Sequence, residues 1–276
     1  MDNLNFTQDR VKAVERSLHE DFGRTVLRRF TKALEDFRLT ERGDKIAVCV
    51  SGGKDSMLMA KLFQERLAHG GDFEAVFLVM DPGYSPENRA AIEKNAEILN
   101  IPITVFKTDI YQSVYNVGDS PCFLCSRMRR GHLYSKAREL GCNKIALGHH
   151  YDDIIETILM SMLYGGQVRT MMPKVKSANY EGMELIRPMY YIREVDIKAW
   201  CAANSQEFIS CACRVTERRD GADGSKRADI KKLNAQLKQV NPQVEGNIFH
   251  SVMNVELNAI IECKFNNERH NFLEFY

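Results

Sequence analysis

No stretch of this 276-residue chain approaches the roughly 20 consecutive apolar residues that a membrane-spanning helix requires. The opening residues 1–10 have neither the basic start nor the apolar run of a secretory signal. A large charge of either sign is missing too. Thirty-eight Lys and Arg against 37 Asp and Glu leave a formal net charge of +1, so a nucleic-acid partner has to be held by local patches and not by a global field. There is no internal repeat and no low-complexity tract. These absences point to a cytoplasmic protein with no membrane partner. Its 44% hydrophobic and 27% charged residues are ordinary for a globular chain long enough to bury a substantial core.

Two familiar phosphate-binding patterns are absent as well. A Walker A loop wants Gly five residues before the glycine that precedes its Lys, then Ser or Thr after the Lys; here Val48 and Asp55 stand at those positions. The dinucleotide fingerprint fails for want of a third glycine. What stands in their place is the apolar run Ile46–Val50, read as a buried strand, followed by Ser51, Gly52, Gly53, Lys54, Asp55 and Ser56, and then a helix-forming segment. Strand, glycine turn and helix start gather free backbone N–H groups where an anionic oxygen can sit. Gly52 and Gly53 let the backbone approach a phosphate closely, and Lys54 adds a positive charge. A carboxylate at Asp55 would repel a bare phosphate, so its presence points to a bridging Mg²⁺. The bland alternative is an ordinary Gly-Gly turn with a surface Lys.

The pattern around this turn alternates. Strands are expected at 45–50, 75–80, 102–106 and 144–148, with helices at 55–68, 87–99 and 126–140. This order predicts an α/β fold, a doubly wound and mostly parallel sheet with helices on both faces. Ligands in such sheets lie beyond the carboxyl ends of the strands, where Ser51, Asp81 and His149 fall. Residues 8–37 carry helical apolar spacing broken near Gly23, which makes residues 1–42 an N-terminal helical extension to an α/β domain at 43–190. The remainder, 191–276, is expected to hold a helix at 193–204, a cysteine-containing segment, a polar loop at 214–227 and helices at about 226–239 and 246–262.

Gly148, His149, His150, Tyr151, Asp152 and Asp153 follow one strand and open a helix, Ile154–Tyr164. Asp152 and Asp153 in its first turn suit the helix dipole and equally suit Mg²⁺ coordination opposite the phosphate loop. On its own the pair reads as helix capping; on the same sheet edge as Ser51–Ser56, a metal-binding and catalytic role gains ground. His149 and His150 are placed for nucleotide contact or proton transfer, with one of them packed in the turn.

Eight cysteines are many for a chain in a reducing compartment. Cys49, Cys142, Cys201 and Cys263 are isolated and read as small buried hydrophobes or surface thiols. Cys122 and Cys125 form C-x-x-C just before a basic helix, and Cys211 and Cys213 form C-x-C. Spacing alone leaves two readings open: four thiolates closing a structural Zn²⁺ site, or three holding a cubane iron–sulfur cluster with one open iron.

The string SGGKDS at 51–56 resembles the signature of the PP-loop ATP pyrophosphatase superfamily, whose members adenylate a carbonyl oxygen and release pyrophosphate. Residues 121–166, with Arg187–Glu194, closely resemble the tRNA 2-thiocytidine synthetases within it. The likeness covers about residues 43–213. It implies ATP as cosubstrate with Mg²⁺, and a [4Fe-4S] cluster held by Cys122, Cys125 and one of Cys211 and Cys213. Where the family usually has a second C-x-x-C, this chain has C-x-C. The resemblance further implies that ATP binds at Ser51–Ser56 with Asp81, Gly148 and His149, that Asp55, Asp152 and Asp153 act in catalysis, and that a cytidine of a tRNA anticodon loop is adenylated at C2 and thiolated. A sulfur donor such as a cysteine desulfurase or sulfide, and a homodimer, are its implied partners. Basic residues for RNA are expected at Arg127, Arg129 and Arg130. Arg24, Arg28 and Arg29, and likewise Lys226 and Arg227, read as solvated faces.

Overall fold

The computed structural model describes residues 2–110, 121–206, 208–209, 226–274 and 276. The chain divides into two compact units, one of Met1–Asp153 with Met172–Ala222, the other of Ile154–Met171 with Asp223–Tyr276.

The first unit opens with α1 (Asp2–Glu20), a π-helical turn at Gly23–Leu27 and α2 (Arg28–Asp36). The break expected near Gly23 falls at the turn and bend of Asp21 and Phe22, between α1 and the π-helical turn. The alternating core follows: β1 (Lys45–Val50), α3 (Lys54–Ala68), β2 (Glu74–Asp81), α4 (Pro86–Ile98), β3 (Ile103–Lys107), α5 (Pro121–Glu139) and β4 (Lys144–Ala146). Next come the helix α6 (Tyr151–Gly165), which runs into the second unit, then β5 (Lys174–Lys176), β6 (Glu184–Ile186) and α7 (Glu194–Ala203).

The six strands form one sheet in the order β3-β2-β1-β4-β6-β5. All neighbouring pairs are parallel except β5 with β6, which makes the fold the mostly parallel α/β sheet expected. β1 pairs with a strand on each edge, and its two faces pack into separate apolar clusters, Ile46, Val48 and Val50 in one and Ala47 and Cys49 in the other, so neither face meets water. Ile46, Ala47 and Val48 are wholly buried, and that is why this strand reads as continuous apolar residues without alternation. Burying Ile46 and Val48 stabilises the fold by about 1.5–3 kcal/mol each. Chain order reverses direction across the sheet between β1 and β4, and the crevice at their carboxyl ends is where such sheets bind ligands.

β5 and β6 carry too few residues for a periodicity to show, and the sequence reading passed over them. α5 starts at Pro121, five residues earlier than expected, with Pro at the first helical position, where its missing N–H costs nothing. Cys122 and Cys125 thus stand in the first turn of that helix and not before it.

In the second unit, α8 (Lys226–Val240) matches the expected helix, but α9 (Val244–Ser251) ends well short of 262. A turn and a short 3-10 helix, Leu257–Ala259, occupy the expected continuation, and a hairpin of β7 (Glu262–Phe265) and β8 (Glu268–Asn271) follows. Its two-residue loop, Asn266 and Asn267, has both residues at positive φ, 49° and 68°. That is a tight hairpin turn, and Asn is one of the few residues that accepts it. The Asn-Asn pair was a readable signal for this turn.

Candidate active site at the carboxyl edge of the sheet

The loop after β1 is held by one side chain. The Ser56 hydroxyl accepts from the Ser51 amide at 3.0 Å and donates to the Gly53 carbonyl at 3.0 Å, and the Ser51 hydroxyl lies 3.0 Å from it. Both acceptor positions and the single proton of Ser56 are thereby used. Gly52 takes φ +86°, and a Cβ on it would come within 2.5 Å of Ile92 and 2.7 Å of Ile209, so this position demands glycine twice over. Gly53 caps α3 with extended backbone, and no side chain caps its amides. The first intrahelical bond runs from Met57 N to Gly53 O at 3.1 Å, which leaves the first-turn amides of Lys54, Asp55 and Ser56 without an intrahelical acceptor. A helix start with free first-turn amides therefore stands at the turn where the sequence led us to expect phosphate.

Lys54 folds back over its neighbour. Its Nζ lies 2.9 and 3.1 Å from the two Asp55 oxygens and 3.2 Å from Glu194 Oε1. Burial works against the charge, but the Asp55 and Glu194 carboxylates outweigh it and hold the lysine pKa above its ordinary value. Lys54 is therefore a fully charged cation at neutral pH. Glu194, at the start of α7, had not been singled out in the sequence; only packing brings it here.

The second loop meets the first through Gly148. A Cβ there would lie 3.2 Å from Ser56 N and 3.3 Å from Asp55 C, so two stretches of backbone touch at a position where even a methyl group would be tight. Just beyond, the buried imidazole of His150 is ringed by three carboxylates. Asp55 Oδ1 lies 3.8 Å and Asp153 Oδ2 3.6 Å from its Nε2, and Asp152 Oδ2 lies 3.7 Å from its Nδ1. Both aspartates of the pair also serve as caps. Asp153 Oδ2 accepts from the His150 amide at 3.0 Å, reaching back over its own helix start. Asp152 Oδ2 accepts from Glu194 N at 2.7 Å and so fastens the start of α7. Capping and convergence are compatible, because a carboxylate has about four lone-pair sites.

Asp81 closes β2 at the same edge, but its oxygens are engaged locally. Oδ1 accepts from Gly83 N at 2.9 Å and Tyr84 N at 2.8 Å, while Oδ2 pairs with Arg89 at 2.9 Å. Burial would raise its pKa; the two amides and Arg89 outweigh that and hold it below the usual carboxylate range. His149 lies beside His150 in the turn and is half-buried. One strand further along, Arg187 is buried at the end of β6 and donates to the Met172 carbonyl. Burial, with Arg130 nearby, pulls its pKa down to about 10.

A family model described as a PP-loop domain matches residues 23–214. The chain is 36% identical over 236 residues to the tRNA-cytidine(32) 2-sulfurtransferase of Anaeromyxobacter dehalogenans strain 2CP-C, spanning 84% of this chain and 79% of that one. It is 37% identical over 238 residues to the enzyme of the same name from Legionella pneumophila strain Paris, spanning 85% and 82%. The chain belongs to the tRNA 2-thiocytidine synthetase family of PP-loop proteins. Its fold is similar to that of a solved structure, the U34-tRNA thiolase NcsA from Methanococcus maripaludis with its [4Fe-4S] cluster. The TM-score is 0.68 at 20% identity, over 87% of this chain and 83% of that one.

Among the cysteines of this PP-loop chain, Cys211 and Cys213 lie outside the described residues, as do the side chains of Cys122 and Cys125. The four isolated ones are buried or half-buried thiols. Burial pushes the pKa of Cys49 up to about 12 and that of Cys201 up to about 11, and it raises Cys142, as expected of cysteines acting as small hydrophobes. The basic clusters divide. Arg29 pairs with Asp196 at 2.9 Å. Within the second unit, Arg227 pairs with the buried Glu156 and Lys226 lies 5.0 Å from the Tyr164 ring centroid. These are packing roles. Arg127 and Arg130, on α5 after the C-x-x-C, are exposed. No helix among the described residues is long and apolar enough to cross a membrane.

Proposed function

We propose that this protein is an ATP-dependent tRNA sulfurtransferase that converts the C2 carbonyl of a cytidine in the anticodon loop to a thiocarbonyl. The observation that carries the reading is the convergence of Lys54 and Asp55 from one loop with Asp152 and Asp153 from another around His150. A cation and three carboxylates on a helix start suit a metal-bound polyphosphate and the activation of a carbonyl oxygen.

In this reading Ser51–Ser56 binds the ATP phosphates, with the first-turn amides of α3 and Lys54 taking the charge that develops on departing pyrophosphate. Lys54 exchanges its contacts with Asp55 and Glu194 for phosphate oxygens. The converging carboxylates match the all-oxygen preference of Mg²⁺; Asp55, with Asp152 or Asp153, would hold the ion, which supplies charge neutralisation on the phosphates. The C2 oxygen attacks the α-phosphorus, the α–β P–O bond breaks and pyrophosphate leaves. A sulfur nucleophile then attacks C2, the C–O bond breaks and AMP departs with the oxygen. Gly148, His149 and Asp81 shape the nucleotide side of the crevice.

Cys122, Cys125 and one of Cys211 and Cys213 would make an all-thiolate donor set, a chemistry suited to a [4Fe-4S] cluster. They would hold it, and when bound it supplies a site for the sulfur to be transferred. The sulfur comes from sulfide or a cysteine desulfurase. Arg127 and Arg130 contact the phosphates of the tRNA, whose target base must be unstacked to reach the crevice. The names of the relatives and the family's PP-loop support this assignment.

The test is mass spectrometry of tRNA nucleosides from cells with and without the gene. 2-Thiocytidine is expected to vanish without it. Unchanged 2-thiocytidine, or ADP and phosphate in place of AMP and pyrophosphate from the purified enzyme, would overturn the assignment. A colourless, zinc-replete protein with full activity would overturn the cluster alone.

A further inference from the structure

Away from the crevice, at the far end of α3, three metal-binding side chains meet. His19 comes from the last turn of α1, while Glu65 and His69 stand four residues apart on the last turns of α3 and its cap. His19 Nε2 lies 3.0 Å and His69 Nδ1 4.0 Å from the same oxygen, Glu65 Oε2. The two imidazole rings are 5.1 Å apart and tilted by 53°. One ligand atom from each of the three residues lies within 4.8 Å of the others. Glu65 is buried, at 5% exposure, while both histidines keep an open side toward solvent.

We propose that His19, Glu65 and His69 form a site for a borderline divalent metal ion of the Zn²⁺ class, which fastens α1 to α3. Two imidazoles and one carboxylate are a donor set that such ions take, with water completing the tetrahedron. Bonds of about 2.0–2.1 Å in a tetrahedron put neighbouring donor atoms about 3.3 Å apart. The His19–Glu65 pair already meets that spacing. The His69 ring is exposed and has room to close the remaining gap, giving up its 2.8 Å contact with the Glu65 carbonyl. The supporting contacts favour the same geometry. Glu65 presents its other oxygen to Lys61 at 3.4 Å, and Lys61, wholly buried, also grips Glu15 of α1 at 2.7 Å. The carboxylate is thus oriented by a charged neighbour while Oε2 stays directed at the histidines. The site closes the same seam between α1 and α3 that Lys61 closes.

The full-length protein, purified anaerobically, is titrated with Co²⁺ and then with Zn²⁺ as competitor. One equivalent of Co²⁺ is expected whose spectrum lacks thiolate-to-metal charge transfer, which separates it from metal on the cysteines. His19→Ala and His69→Ala are each expected to weaken that equivalent at least tenfold. Zn²⁺ is expected to raise the unfolding midpoint of the parent and leave both variants unmoved, with tRNA thiolation by His69→Ala unchanged. Should His19→Ala fold poorly, His69→Gln carries the same test, since that side chain is the more exposed. Equal Co²⁺ affinity in parent and variants, or Co²⁺ bound only with thiolate bands, would overturn the proposal.

Discussion

Gly148 abuts the first turn of α3 so closely that a Cβ would stand 3.2 Å from the amide nitrogen of Ser56. The three nearest atoms it would press on are all backbone, so the loop or the helix start must move by a few tenths of an ångström. Gly148→Ala is therefore expected to cost little stability, on the order of 1 kcal/mol. Turnover of ATP to AMP should fall by about tenfold or more, because the two halves of the crevice separate. Paired thermal unfolding and AMP-release assays check this; a loss of stability with full turnover would contradict it.

In the proposed reading, Lys54 and Asp55 are a charged pair that ATP must open. Lys54→Ala is expected to lower the rate of AMP formation by about 10²–10³-fold, the usual effect of removing one donor to a developing anion. Asp55→Ala should abolish the dependence of the rate on Mg²⁺ along with most of the rate. Binding of tRNA, measured by gel shift, should be unaffected in both variants. AMP formation by Asp55→Ala at the parent rate would remove that carboxylate from the mechanism.

Glu194 Oε1 lies 3.2 Å from the Lys54 ammonium, so in the proposed reading it would compete with phosphate for that cation. Glu194→Gln removes a negative charge from the phosphate site while keeping the backbone amide that Asp152 accepts. The KM for ATP should fall about threefold, as expected of a partly exposed charge pair worth up to about 1 kcal/mol, with kcat nearly constant. A rise in KM would show that Glu194 supports nucleotide binding.

Asp44 is buried before β1, where its carboxylate takes Lys144 at 2.6 Å, Asn143 at 2.7 Å and the Glu41 amide at 2.6 Å. Burial pushes its pKa up, but these three bonds outweigh it and hold the value below the ordinary range. A depressed carboxylate stabilises the fold above its unfolded pKa, near 3.9, and that contribution is lost as pH falls through the lower folded value. Asp44→Asn should cost about 3 kcal/mol at neutral pH by leaving Lys144 poorly paired. The gap should narrow as pH drops below about 4. Urea unfolding at both pH values tests this, and a gap independent of pH would refute it.

Much of this architecture is written locally. β1, the glycine turn and α3 could be read from Ile46 to Phe63 because burial on both strand faces leaves an unbroken apolar run and Gly52 permits the turn. The alternation of the remaining elements then predicted a parallel sheet and its carboxyl-edge crevice. The three-residue strands β5 and β6 stayed hidden because so short a segment has no period. Apolar positions after Ser251 keep a helical spacing in the sequence, yet the helix ends there and a 3-10 turn at Leu257–Ala259 leads into the hairpin that Asn266 and Asn267 turn.

Sequence by itself determined the chemistry-bearing segments: Ser51–Ser56, Gly148–Asp153 and the paired cysteines. Their residue types and spacing depend only on neighbours along the chain. Tertiary structure alone decided that Asp55, Asp152 and Asp153 surround His150, that Glu194 shares Lys54, that Gly148 packs against the start of α3, and that His19 meets Glu65 and His69. Each of these rests on contacts between residues distant in sequence. Burial of the strands and helices brings them together, and no local pattern encodes which of them will meet.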